Sequence, residues 1–143
     1  MTITWLGQSG YLLEDSGTRV FLDPYLSDAV YRVAGRPRMV EPPIRPEEVS
    51  GTVICTHDHL DHLDPDAICR MDRAHIDFCA PSSCRKHLEE LGCPRIRTLD
   101  LGDTIIVGDF AFTAVFADHS VDAVGILARW GGRSFYFTGD TLW

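Results

Sequence analysis

The sequence predicts an α+β domain, a mixed sheet with helices on one face, and three observations carry that expectation. Short apolar runs of strand type, separated by turn residues, cluster at both ends of the chain. Between them lie two stretches with helix-start and helix-stop signals. In the middle, a β-branched apolar run delivers a loop holding three of the six histidines. Strands and helices in this mixture fit a sheet whose apolar face is covered by helices.

Taken in order, Ile3–Leu6, Tyr11–Glu14 and Arg19–Leu22 read as a β-meander. A Gly/Ser-containing connection and the turn Asp15-Ser16-Gly17 join them, and the third strand closes on Asp23-Pro24. Residues 25–47 read as irregular, with Pro37, Pro42, Pro43 and Pro46 and arginines at 32, 36, 38 and 45. A loop this long in a small domain is usually functional or mobile. Gly51–Cys55 is a short buried-type strand. Asp64-Pro65-Asp66 then supplies a cap, a first-turn proline and an acidic first turn, so a helix is expected to about residue 72. Asp77–Ala80 is the next strand. Pro81–Leu91 reads as a second helix with Cys84, Leu88 and Leu91 on one face and Gly92 past its end. Ile96–Leu99, Thr104–Val107, Phe110–Phe116, Val124–Trp130 and Ser134–Thr138 complete the strands.

The chain has 143 residues, enough for one domain with a real core but not for two. The formal net charge is −8, and Lys86 is the only lysine. That balance argues against a nucleic-acid partner, which a basic surplus normally signals. No apolar run is long enough for a membrane span, and the N-terminus lacks the order of a signal peptide, so a cytoplasmic location and no membrane partner are expected. The five cysteines form no CxxC pair and read as buried, reduced thiols.

The chemistry concentrates in Thr56-His57-Asp58-His59-Leu60-Asp61-His62. In an extended stretch His57, His59 and Asp61 project to one side, and a turn near Leu60 returns His62 to the same space. Neutral imidazoles and a carboxylate suit zinc, manganese or iron. Collecting such groups on one short loop is costly unless a cation repays the desolvation. The bland reading is a solvated loop with helix-capping aspartates, which suits Asp58 and Asp64 but not the whole cluster. By residue type alone, His119 reads as a loop histidine and Gly139-Asp140 as a turn. His75 and His87 read as surface residues.

His57-Asp58-His59-Leu60-Asp61-His62 matches the His-x-His-x-Asp-His loop of the metallo-β-lactamase superfamily in full, and the chain resembles that family along essentially its whole length. With Trp5-Leu6-Gly7, Asp23-Pro24 and Thr56 before the histidines, it is similar to the branch of ascorbate-6-phosphate lactonase-like metal-dependent hydrolases. The resemblance implies the αβ/βα fold and a divalent-metal site of one or two ions, zinc or manganese first and iron as an alternative. It makes His57, His59 and His119 ligands of one ion and Asp61 and His62 ligands of the second, with Asp140 between them. Asp61 is also the catalytic candidate, orienting the attacking water or relaying its proton. Asp23 is expected to hold the motif loop by hydrogen bonds or to serve only its turn.

The implied function is a metal-dependent hydrolase acting with a metal-activated water on a lactone, phosphoester or similar small ester, with a non-catalytic metal-binding half-domain as the alternative and a nuclease disfavoured. The resemblance also implies that residues 1–143 correspond to the N-terminal half of a four-layer sandwich, truncated before the C-terminal half. One family ligand of the second ion lies in that other half, so the second site is expected to be weaker. A sheet with helices on one face leaves its other face open, so a homo-oligomer or a partner supplying the missing half is expected. The arginines of residues 25–47 raise the expectation of an anionic small-molecule substrate against the plainer reading of charges that solvate a loop.

Overall fold

Alternating side chains sort this chain into layers. A computed structural model describes residues 1–142, so Trp143, where the expected truncation falls, lies outside the described residues. The opening meander is β1 (Thr2–Gly7), β2 (Gly10–Asp15) and β3 (Thr18–Leu22), paired antiparallel with Trp5 opposite Tyr11 and Leu13 opposite Val20. From β3 the sheet continues in parallel through β4 (Gly51–Ile54), β5 (Ile76–Ala80) and β6 (Ile96–Thr98). Parallel neighbours need a crossover, and the crossovers carry α1 (Ala29–Ala34), α2 (Pro65–Arg70) and α3 (Arg85–Glu90). A second, antiparallel sheet has the order β10 (Arg133–Phe137), β9 (Val124–Trp130), β8 (Phe110–Phe116), β7 (Thr104–Val107).

Two cores follow from the period of two along the strands. Phe21, Val53, Phe78 and Ala80 face Ala67, Ile68, Met71, Cys84 and Leu88 from α2, α3 and their flanks. Their sequence neighbours Val20, Leu22, Ile54 and Cys79 point the other way, against Phe110, Phe112, Ala114, Ile126 and Ala128. The molecule is thus helices, a six-stranded mixed sheet and a four-stranded sheet in succession.

This corrects one premise of the sequence reading. The mixed sheet has helices on one face, as expected, but its other face is covered by residues 104–137 of the same chain. An antiparallel meander obeys the same local pattern whether it extends an existing sheet or folds back upon it, and only burial distinguishes the two. The exposed apolar side chains Ile106 and Tyr136 instead occupy the outer face of the four-stranded sheet.

Local differences are small. Residues 25–47 contain the six-residue helix α1, which buries Ala29 and ends on Gly35 at φ 67. One buried side chain is too little for apolar periodicity to reveal. Residues 81–91 split into a 3-10 turn, Ser82–Cys84, and α3, with Cys84 and Leu88 buried and Leu91 partly so. α2 stops at Arg70, short of the expected residue 72. The five cysteines are free, with Cys69 exposed and the others buried. No helix among the described residues is long and apolar enough to cross a membrane.

Candidate metal centre

The centre gathers at the C-terminal ends of four strands. β3 ends before Asp23 and β4 before the histidine loop, and Asp23 N donates to Ile54 O at 2.9 Å, locking the two exits together. In the second sheet β8 and β10 are each antiparallel to β9, so both emerge on one side, β8 towards His119 and β10 towards Asp140. The sheets meet there: Val124 N donates to Thr56 O at 3.1 Å. Gly139, at φ 56, runs so close that a Cβ would lie 3.3 Å from both Thr56 Oγ1 and Val124 O. A side chain at that position would push Asp140 away from the loop it serves.

The loop turns as expected, with His62 N and Leu63 N both donating to His59 O, at 2.9 and 2.8 Å. His59 Nδ1 lies 3.1 Å from His57 Nε2 and 3.1 Å from His119 Nε2. The edge of a tetrahedron of zinc ligands is about 3.4 Å, given metal–nitrogen bonds of about 2.1 Å. One ring proton cannot satisfy three nitrogens that face one another, whereas one cation can accept all three lone pairs. Asp140 offers a carboxylate oxygen to the same group, and Asp61, His62 and Asp140 form a second; within each group the ligand atoms lie within 4.8 Å of one another. His62 Nε2 is buried, 3.1 Å from Asp140 Oδ1 and 3.9 Å from Asp61 Oδ2, an ion pair when the ring is protonated. A divalent ion seated among these three side chains would take the place of the proton that His62 holds there. The donor set therefore fits two adjacent divalent cations sharing Asp140.

Behind the ligands, one carboxylate sets ring orientations. Asp23 is buried and, at φ 42, lies in the left-handed region. Its Oδ1 accepts from Thr56 N at 2.7 Å, and Oδ2 accepts from Thr56 Oγ1 and faces His62 Nδ1, each at 2.7 Å. With His62 Nδ1–H turned to Asp23, Nε2 is left to face the metal space. Thr56 Oγ1, its proton committed to Asp23, lies 3.0 Å from His57 Nδ1 and accepts from it, which likewise leaves His57 Nε2 inward. The loop-holding role expected of Asp23 is the one its geometry serves.

Electrostatics divide the centre. Burial pushes the His57 pKa down from 6.5 to about 4. Burial also lowers that of His62, but the flanking carboxylates Asp140 and Asp23 outweigh it and push the value up to about 10. The His62 imidazolium in turn holds Asp140 down at about 2. Asp64 is both helix cap and staple: it accepts from Ala67 N at 3.0 Å, Leu26 N at 3.0 Å and Ser27 N at 2.9 Å. Asp58 sits outside the cluster, 3.6 Å from His87 Nδ1, while the exposed His75 pairs with Asp72 at 2.8 Å.

Each residue expected as a ligand, His57, His59, Asp61, His62, His119 and Asp140, thus lies in one of the two groups. Sequence reasoning gave no part to Thr56 or to Gln8. The first carries a signal in hindsight, a hydroxyl immediately before the first histidine. Gln8 sits in a left-handed conformation (φ 50) at the β1–β2 turn, fastened by Trp5 Nε1–H donating to its carbonyl at 2.9 Å, and its amide reaches Asp61 Oδ2 at 3.4 Å. Such backbone costs on the order of 1–3 kcal/mol and tends to collect at functional sites. A cleft of about 380 Å³, lined in part by Gln8, Tyr11, Phe137 and Gly139, opens beside it.

The family model of the β-lactamase superfamily domain matches residues 18–142. The chain belongs to that family. This β-lactamase superfamily domain is 33% identical over 159 residues to a UPF0173 metal-dependent hydrolase of Archaeoglobus fulgidus, covering 99% of the chain and 62% of the relative. It is 34% identical over 161 residues to an uncharacterised protein of Mycobacterium tuberculosis, covering 99% of the chain and 42% of the relative. The chain thus spans between 42% and 62% of the length of these curated relatives. Among solved structures, an isothiocyanate hydrolase from Delia radicum gut bacteria superposes with a TM-score of 0.77 at 21% identity, over all of this chain and 64% of that one. CmlA, a diiron β-hydroxylase from Streptomyces venezuelae, superposes at 0.73 with 22% identity, over 97% of this chain and 29% of that one. At such identities these structures share the fold with the domain.

Proposed function

We propose that this domain is the metal-binding part of a metal-dependent hydrolase acting on a small ester-like substrate, a lactone or a phosphoester. The observation that carries the reading is the pair of ligand groups joined at Asp140, with the ligand atoms of each group within 4.8 Å of one another. The name of the Archaeoglobus relative supports the reaction class. Cations held there would supply a charge that brings the pKa of water towards neutrality and polarises the bond under attack. His57, His59 and His119 would hold the first ion and Asp61 and His62 the second, and Asp140 is within reach of both groups. Imidazole and carboxylate donors suit zinc, manganese and iron alike.

The chain's own residues do the positioning. Asp23 and Thr56 turn ring nitrogens inward, and Gln8 steadies Asp61. Asp61, with its side chain 27% exposed at the edge of the group, is the residue we assign to orient an attacking water and accept its proton. The test is turnover of a panel of lactones, phosphodiesters and β-lactams by the zinc- or manganese-loaded protein. Activity on one class that disappears in His59→Ala supports the proposal. Metal retained with no turnover on any class overturns it in favour of a non-catalytic metal-binding domain.

A further inference from the structure

The arginines of residues 25–47 meet different fates. Arg32 is spent on Asp66, with Nε and Nη2 donating to the two carboxylate oxygens at 3.0 and 2.8 Å. Arg45 folds back onto Glu48 at 3.2 Å. Arg38 is built into the fold: Nη2 donates to the carbonyls of Tyr25 and Ser27 at 2.9 and 2.8 Å, the guanidinium stacks 4.6 Å over the Tyr25 ring, and its side chain is only 8% exposed. Arg36 is exposed, and among the described residues it has no ion pair or hydrogen bond. In a chain with 21 acidic residues and 13 basic ones, partners for a free guanidinium are plentiful.

Its position gives that freedom a meaning. Arg36 lines a cleft of about 190 Å³ together with Gln8, Tyr25, Arg38 and Asp61. Asp61 belongs to the second ligand group, so this cleft shares a wall with the candidate metal centre. Arg38, clamped to two carbonyls, fixes the segment on which Arg36 stands, and Pro37, which follows Arg36, limits the backbone that Arg36 can adopt. An uncommitted planar guanidinium beside the candidate metal centre suits a carboxylate or phosphate that it can grip with two parallel hydrogen bonds.

We infer that this cleft receives an oxyanion group of the substrate, carboxylate or phosphate, and that Arg36 is the residue that recognises it. The inference builds on the hydrolase reading, since the group gripped is taken to belong to the molecule being cleaved. Asp61 shares the wall and repels an anion until its charge is balanced, so anion affinity rises when the ligand groups are loaded.

Calorimetric titration of phenyl phosphate and of benzoate into the zinc-loaded chain tests this, with phenol as the uncharged control. Wild type is expected to bind one of the two anions more tightly than phenol. Arg36→Ala weakens that anion by about ten- to a hundredfold and leaves phenol unchanged. Arg36→Lys, which keeps the charge and loses the fork, recovers part of the affinity. The anion that loses more identifies the oxyanion. Equal affinity in wild type and Arg36→Ala, or no anion binding by wild type, overturns the inference. Arg36-dependent anion binding in a chain that hydrolyses no ester class would retain this site and remove the hydrolase reading alone.

Discussion

The two ligand groups share Asp140, yet the chain prepares them in opposite ways. His57 is buried, and with its pKa pushed down to about 4 its Nε2 already presents a lone pair at neutral pH. His62, five residues further along, is buried as well, but Asp140 and Asp23 overcome that burial and raise it to about 10. In the metal-free chain His62 is therefore an imidazolium between two carboxylates, and a cation must displace its proton to enter. One group stands open to metal and the other is closed by a proton, although both histidines come from one short loop. The difference comes from partners that reach the loop from other strand ends, Asp23 after β3 and Asp140 after β10.

The harshest way to break the comparison is His59→Ala. Its Nδ1 is the atom that both His57 and His119 approach at 3.1 Å, so its loss dismantles the first group. Metal analysis is expected to show the first ion gone and the second retained, with hydrolysis reduced by more than the roughly 10–100-fold that losing a residue behind a ligand costs. Loss of both ions together would mean that the groups do not bind independently.

Asp23→Asn comes next. It keeps the shape but replaces the charge that faces His62 Nδ1 and accepts from Thr56. Affinity of the second ion should fall by about 10–100-fold, that of the first by less, and thermal melting should register a loss of about 1–3 kcal/mol for a buried network left partly unpaired. An equal fall at both sites would contradict the assignment of Asp23 chiefly to His62.

Proton competition is the third lever. Affinity for the second ion should rise about tenfold per pH unit between about pH 7 and 9, because one proton leaves His62 for each ion bound, while release from His57 adds nothing in that range. The metal-free fold moves the opposite way. His62 has a raised pKa, so its contribution to stability is fully present below its ordinary 6.5 and is lost as pH climbs through about 10. Asp140 has a lowered one, so its contribution is present above 3.8 and is lost as pH falls through about 2. Metal-free melting temperatures that rise from neutral pH to pH 10 would refute this account.

Thr56→Val is expected to be the mildest. It removes the hydroxyl that links Asp23 to His57 while leaving the backbone N–H bond to Asp23 in place. First-site affinity should drop by about tenfold, at the low end of such effects. A larger effect on the second ion than on the first would reverse the roles drawn here for Thr56 and Asp23.

Residues close in sequence made much of this legible. The loop from His57 to His62 reads as a metal-binding set by composition alone, and short apolar runs bounded by turn residues located the ten strands to within a residue or two at most ends, because both signals are local. His119 and Asp140 entered as candidate ligands only through family resemblance, since a lone loop histidine and a Gly-Asp turn carry no signal of their own. The helix α1 escaped notice because a single buried alanine has no periodicity to read.

Other features belong to tertiary structure. That residues 104–137 form a separate sheet covering the first, rather than extending it, depends on which faces bury each other, and both arrangements share one local pattern. The free state of Arg36 among neighbours that are each committed, the hold of Gln8 on Asp61 and the opposed pKa values of His57 and His62 likewise arise between residues far apart along the chain. The sequence by itself marked the donors of the His57–His62 loop as a set suited to a cation. Folding decided which histidine is ready for it, because charge, burial and hydrogen bonding act through space across strands that only the packed sheets bring together.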